Sequence, residues 1–256
     1  MTGLVETTSL KGGIRQITLN RPDKKNALTE EMYIELETQM KLATESANVR
    51  AILLNGKANC FCAGNDIEDF LKNPPKDENS PVFRFLRTLN RVEKPIVAAV
   101  NGVAVGIGTT LLLHCDLVYA SPSSTFSTPF VNLGCTPEGA SSILIPEIMG
   151  QRKAAELLML CRPFNAQKAI ELGIITALSN SSDALEEALK ACHELVEKPP
   201  IAVREAKRIL KKNLQEKVEQ TIIEEARLFC ERLQSDEANE ALHAFAERRK
   251  PDFSRF

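Results

Sequence analysis

The run Pro95-Ile96-Val97-Ala98-Ala99-Val100 constrains this chain more than any other stretch. It has the length of a strand, is apolar throughout and closes on Asn101-Gly102, so it predicts a strand buried on both faces. Such strands belong to parallel sheets with helices on either side. A second run, Val49-Arg50-Ala51-Ile52-Leu53-Leu54, stops at Asn55-Gly56 and reads the same way. Each is followed by a glycine-containing loop and then a helical pattern, so residues 49–71 and 95–113 form a loose internal repeat.

Around these units the chain alternates in the same manner. Two alternating runs at 4–10 and 14–19 flank Gly12-Gly13 and predict a β-hairpin. Thr29 is placed to cap a helix reaching about Ser46, with Met32, Leu36, Met40 and Ala43 on one face. A loop rich in Pro and Asn at 73–81 precedes Phe83, Leu86 and Leu89 at helical spacing. Gly102 to Gly108 reads as a glycine-spaced turn opening into a helix at 109–113, and 116–120 as a further strand. Residues 125–134 read as short extended structure, and Pro137 as the start of a helix at Glu138. From about Gln151 helical patterns dominate, at 153–161, 166–172, 183–197, 202–213, 218–233 and 238–246, with only 174–178 strand-like. The expectation is an α/β fold whose last hundred or so residues are mostly helical, with no linker between the parts.

Composition bounds the function. At 256 residues, 43% hydrophobic and 26% charged, the chain is suited to a large core and is neither disordered nor collagen-like. A net charge of −2 supplies no basic excess for nucleic acid or an anionic membrane. The longest apolar stretch, Ile96 to Ile107, is interrupted and too short to span a bilayer. The seven cysteines form no CxxC pair and read as reduced core residues. His114, His193 and His243 are widely separated, which argues against a metal site or a Ser-His-Asp triad, and His114 is expected to be a satisfied core histidine. The first twenty residues lack the pattern of a signal peptide. Ser254-Arg255-Phe256 is a poor match to the peroxisomal Ser-Lys-Leu tripeptide, so cytoplasm is the expected location.

The glycine turns are where chemistry can sit. A helix start leaves backbone N–H groups unpaired, and glycine lets the backbone approach a ligand. Two such starts, Ala63-Gly64-Asn65-Asp66 and Val105-Gly106-Ile107-Gly108, could aim two N–H groups at one oxygen, as an oxyanion hole does. Spacing alone leaves open the plainer reading of two tight strand-to-helix turns. Gly102, Gly106 and Gly108 do not spell GxGxxG, and no Walker A lysine follows.

The order of motifs resembles the enoyl-CoA hydratase/isomerase family, the crotonases. The matching stretches are Leu19-Asn20-Arg21-Pro22 with Asn26-Ala27-Leu28, Phe61 to Ile67, Lys94 to Gly102, Cys115 to Ala120 and the tail from Phe245 to Phe253. The resemblance implies a crotonase (ClpP/crotonase-like) spiral of ββα units. Residues 1–195 would be the core and 196–256 a helical region used for trimers, or hexamers as dimers of trimers. It implies an acyl-CoA substrate, no metal, and no cofactor beyond the coenzyme A carried by the substrate. The oxyanion donors would be the N–H groups of Asn65 and Ile107. Substrate contacts would come from Lys24, Lys25, Ala27, Ala63, Gly64, Asp66, Ile67, Gly106 and Phe130. Phe70, Leu71, Phe83 and Leu86 are further candidates for an acyl channel. A basic helical face of Arg204, Lys207, Arg208, Lys211 and Lys212 is a second candidate for CoA, or a solvated face.

Hydratases of this family use two glutamates, and here those positions hold Thr110 and Phe130, neither of which moves a proton at neutral pH. One carboxylate remains, Glu138 in Pro137-Glu138-Gly139. By itself it reads as an exposed glutamate at a helix N-terminus. By resemblance to peroxisomal-type Δ3,Δ2-enoyl-CoA isomerases it is the catalytic base. The expected activity is therefore transfer of a 3-enoyl-CoA double bond to the 2-trans position by one proton-shuttling glutamate, as in fatty acid β-oxidation. The alternatives are a hydratase, lyase or hydrolase of CoA thioesters on the same fold, and a catalytically silent, RNA-associated binding module. Near-neutral charge and the presence of Glu138 argue against the last.

Overall fold

The structure, a computed structural model, describes residues 3–247 and 249–256. In chain order it begins with a hairpin of β1 (Val5–Leu10) and β2 (Ile14–Leu19), then α1 (Glu30–Glu45), β3 (Ala51–Gly56), α2 (Ile67–Lys72), α3 (Pro81–Arg91) and β4 (Ile96–Val100). Next come β5 (Val103–Val105), α4 (Ile107–Thr110), β6 (Leu117–Ala120), β7 (Thr125–Ser127), α5 (Ser141–Met149) and α6 (Gln151–Leu160). The chain ends with β8 (Phe164–Asn165), α7 (Ala166–Glu171), β9 (Ala177–Leu178), α8 (Leu185–Glu197), α9 (Pro200–Lys211), α10 (Gln215–Leu233) and α11 (Asp236–Ala246). No described helix is long and apolar enough to cross a membrane.

The apolar run lies inside a six-stranded sheet ordered β1-β2-β3-β4-β6-β9. Within that sheet the described β1–β2 hairpin is antiparallel and the later pairings are parallel. Successive residues of β4 face opposite sides, and each side is covered. Ile96, Ala98 and Val100 enter the main core with Met32, Leu36 and Met40 of α1 and with Phe83, Leu86 and Leu89. Val97 and Ala99 join Ala51 and Leu53 against Ala184, Ala188 and Cys192 at α8. A strand with helices on both faces needs apolar residues at every position, which is why the run shows no alternation. Thr29 caps α1 by accepting the Met32 N–H at 3.3 Å.

Several expectations need correction. Gly102–Gly108 is not one turn. Val103–Val105 forms a strand of a second, three-stranded sheet with β7 and β8, and the helix after it starts at Ile107. The strand-like piece at 174–178 shrinks to Ala177–Leu178, and β8 lies within a stretch read as helix and loop. The extended stretch at 125–134 ends with Ser127 and is followed by a 3-10 turn, Val131–Leu133. Glu138 does not begin a helix; α5 starts at Ser141, because Gly139 (φ +70) and Ala140 (φ +57) are both left-handed. The basic face of α9 is broken by Lys207, which is buried. Its ammonium donates to the Lys94 carbonyl at 2.7 Å and pairs with Asp116 at 2.7 Å. Lys211 also turns inward, donating to the His114 carbonyl at 2.9 Å.

Asn26 is a central tie of the loop before α1. It is fully buried, with φ +55. Its amide donates to the Lys57 carbonyl at 3.0 Å and the Cys60 carbonyl at 2.7 Å, and its oxygen accepts the Arg21 N–H at 2.8 Å. Asn26→Ala would strand these groups and put alanine in a left-handed backbone. Urea unfolding should show a loss of about 2–4 kcal/mol; an unchanged midpoint would refute this account of the loop.

Candidate active site

The two glycine turns lie downstream of the parallel neighbours β3 and β4, the second after the short strand β5 of the other sheet, and the backbone stitches them together. The Cys62 N–H donates to the Val103 carbonyl at 3.0 Å, and the Val105 N–H to the Cys62 carbonyl at 2.9 Å. Glycine is required at the crossing. A Cβ on Gly108 would fall 2.5 Å from the Cys62 carbonyl oxygen, and one on Gly64 2.9 Å from that of Val105. The N–H groups of Asn65 and Ile107, one beside each crossing, have no hydrogen-bond partner among the described residues.

Glu138 contacts the helix that begins at Ile107. It is 3% exposed, and the Thr110 hydroxyl, one helical turn after Ile107, donates to its Oε1. Its Oε2 is buried with no partner among the described residues. Burial pushes the carboxyl up to about 8; Thr110 opposes the shift and the nearby Glu225 carboxylate adds to it. The turn is held from a second side by His114, whose Nε2 lies 2.8 Å from the Gly139 carbonyl. Burial first, then the charge of Lys211, lowers this imidazole to about 4, so it is neutral and Nε2 carries the proton.

An open cleft of about 230 Å³ reaches Asn65 and is lined by Leu28, Tyr33, Phe70 and parts of the 72–82 segment. Of the other acyl-channel candidates, Phe83 and Leu86 are core residues and Leu71 is exposed. Phe130 is buried beside Gly106, whose absent Cβ would lie 3.9 Å from its ring. Ala27 and Ala63 belong to the loop pair, where the Ala63 N–H donates to the Lys25 carbonyl at 3.0 Å. Lys24 is exposed and 3.7 Å from Glu68, and Lys25 is exposed in a left-handed conformation. Ile67 opens α2. Asp66 is occupied otherwise: it caps α2 by accepting the Asp69 N–H at 2.9 Å and pairs with Arg21 at 2.7 Å. Burial would raise its carboxyl, but these two partners hold it below the usual carboxylate range. Among the described residues no His, Cys, Asp or Glu cluster could hold a metal.

Two residues of this neighbourhood were not singled out from sequence. Tyr33 donates its hydroxyl to Asn65 Oδ1, and burial, followed by the negative charges around it, pushes its phenol well up. Its signal was a tyrosine beside Met32 on the buried side of α1. Glu225 is a carboxylate within the apolar stripe Val218, Ile222, Ala226, Phe229 of α10, a pattern that itself marks a buried charge.

The comparisons agree with this architecture. The family described as enoyl-CoA hydratase/isomerase matches residues 9–255, so the chain belongs to that family, and its fold is the crotonase fold. It is 36% identical over 244 residues to human enoyl-CoA delta isomerase 2, covering 93% of this chain and 62% of that protein. The chain thus spans less than two thirds of the length of that relative. It is 28% identical to the 2,3-dehydroadipyl-CoA hydratase of Escherichia coli, over 93% of each chain. The solved structure of Pseudomonas aeruginosa OdaA superposes with a TM-score of 0.91 at 45% identity, covering 94% of this chain and 98% of that one.

Proposed function

We propose that this chain is a Δ3,Δ2-enoyl-CoA isomerase in which Glu138 alone carries the proton. The observation that supports this reading is a buried carboxyl with one unpartnered oxygen, its other oxygen bonded to Thr110, one helical turn after the unpaired Ile107 N–H. Glu138 takes a hydrogen from C2 of the 3-enoyl-CoA, and the resulting charge spreads into a dienolate. Its oxygen is held by the N–H groups of Asn65 and Ile107. The same carboxyl returns the proton to C4, leaving the 2-trans double bond and the base as it began. Thr110 holds Oε1 in place, so Oε2 is the oxygen that moves the proton. Water addition would need a second acid or base, and Thr110 stands where a hydratase of the family would have one. We assign the acyl tail to the cleft at Tyr33 and Phe70 and the CoA phosphates to Lys24 and Lys25. A homotrimer or hexamer is part of the proposal, and would give Ile201, Ile209 and Leu210, exposed on α9, a surface to cover. The free cysteines suit a reducing compartment, and cytoplasm is the one we propose.

The test is to follow 3-hexenoyl-CoA and crotonyl-CoA side by side. Isomerisation without water uptake supports the reading, and faster hydration of crotonyl-CoA overturns it. The base must be deprotonated to start, and its carboxyl sits at about 8. Hence kcat/KM should rise with pH, with a midpoint near 8, and level off above it. A flat profile from pH 6 to 9 would contradict this.

A further inference from the structure

We propose that Glu225 is a positioning residue for Glu138. Its buried carboxyl group reaches from α10 and holds the turn that carries the base. The proposal rests on the isomerase reading for its catalytic meaning, but the contacts stand without it.

Glu225 Oε2 accepts the Ala140 N–H at 2.6 Å and Oε1 accepts the Ser142 N–H at 2.9 Å. Both donors follow Glu138 by four residues or fewer. Glu225 is 6% exposed, and the inward face of α10 around it is apolar. A buried charge without a cation is costly, so two backbone donors must repay its desolvation. What it gains is shape. Ala140 sits at φ +57, a left-handed conformation that alanine resists and that survives only where its surroundings over-determine it. A glutamine could accept only one of the two N–H groups and would turn its own NH₂ towards the other.

The effect of a charge on Glu225 depends on what else reaches the turn. Thr110 of α4, His114 of the 3-10 turn after α4 and Glu225 of α10 bond directly to its residues, while Tyr33 of α1 and Cys62 of the loop before α2 lie further off, bonded to Asn65 and Gly64. At the pH where Glu138 titrates, Tyr33 and Cys62 keep their protons and His114 is already neutral. Lys211 lies one step further out, on the His114 carbonyl. Glu225 is therefore the acidic group in direct contact with the turn. Burial raises its own carboxyl, and the Ser142 and Ala140 donors, which favour the charged form, oppose that rise; in that form it is a like charge beside Glu138.

The experiment compares wild type, Glu225→Gln and Glu225→Gln/Ala140→Gly. The Glu138 carboxyl carbon is titrated by NMR, its resonance assigned by its loss in Glu138→Gln. The midpoint should fall by on the order of one pH unit in both Glu225→Gln proteins, because the like charge is gone. The plateau kcat of Glu225→Gln should fall about 10–100-fold with KM little changed, because the base is displaced. Adding Ala140→Gly should restore much of that kcat without restoring the midpoint. Folded Glu225→Gln with an unmoved midpoint overturns the proposal, and so does a lower melting temperature as its sole change. Full turnover in Glu138→Gln would instead sink the isomerase reading, while the NMR midpoint still decides the role of Glu225.

Discussion

Glu138→Gln should lower kcat for 3-hexenoyl-CoA isomerisation by about 10²–10⁴-fold, the usual worth of a positioned acid–base group, and should make the protein more stable. Both effects come from one cause. The folded state holds the carboxyl at about 8 against an ordinary 4.5, first of all because burial disfavours the charge. Between those values the folded protein keeps a proton that the unfolded chain releases. Wild type therefore loses stability as pH rises from 4.5 towards 8, and the loss is complete above 8. Glutamine has no proton to lose, so the gap in melting temperature should open across that window and stay constant beyond it. At 1.36 kcal/mol per pH unit the shift caps the gain near 5 kcal/mol, and a glutamine NH₂ without partners takes part of it back. About 2–4 kcal/mol at pH 8.5 remains, which is several degrees for a domain of this size. Thermal melts of both proteins at pH 5 and 8.5 check the sign. A variant with wild-type turnover, or one less stable at pH 8.5, would remove Glu138 from the role assigned to it.

That carboxylate also shows where sequence reasoning stops. Strands β3 and β4 and helices α1 and α3 were legible because their patterns are local: unbroken apolar runs, a Thr29 cap, and aromatic and leucine residues at helical spacing. The two glycine turns were legible as possible N–H donors for the same reason. The strand Val103–Val105 was not, because it exists through hydrogen bonds to Cys62 and pairing with Thr125–Ser127, both distant in sequence. Pro137-Glu138 looks like a helix start, yet the left-handed pair Gly139-Ala140 delays the helix to Ser141, and the clamps that hold that pair, His114 and Glu225, lie 25 and 85 residues away. Lys207 has the spacing of a surface lysine, and only the tertiary fold shows it beside Asp116. Local chemistry was readable, and chemistry assembled by long-range contacts was visible only as odd residues in regular patterns, such as Glu225 in the apolar stripe of α10.

The second large effect is expected at Gly108. Its backbone crosses Cys62 so closely that an alanine Cβ would stand 2.5 Å from the Cys62 carbonyl oxygen and 2.9 Å from its Cβ. Neither a backbone oxygen nor a Cβ can swing aside as a side-chain tip would, so either α4 shifts or the Cys62–Val103–Val105 stitch opens. Either movement separates Ile107 from Asn65, and an oxyanion hole that loses one aligned donor loses about 10²–10³ in kcat. Gly64→Ala presses the same junction from the other side, with its Cβ 2.9 Å from the Val105 carbonyl oxygen and the added strain of φ +92. Both variants should therefore lose kcat far more than they raise KM, since the cleft at Tyr33 and Phe70 is left in place. Folding is monitored by thermal melting, so that lost activity is counted only in protein that still unfolds cooperatively. If Gly108→Ala and Gly64→Ala both turn over 3-hexenoyl-CoA at the wild-type rate, the close packing of the two loops does not set the amide geometry, and the thioester oxygen must be held elsewhere.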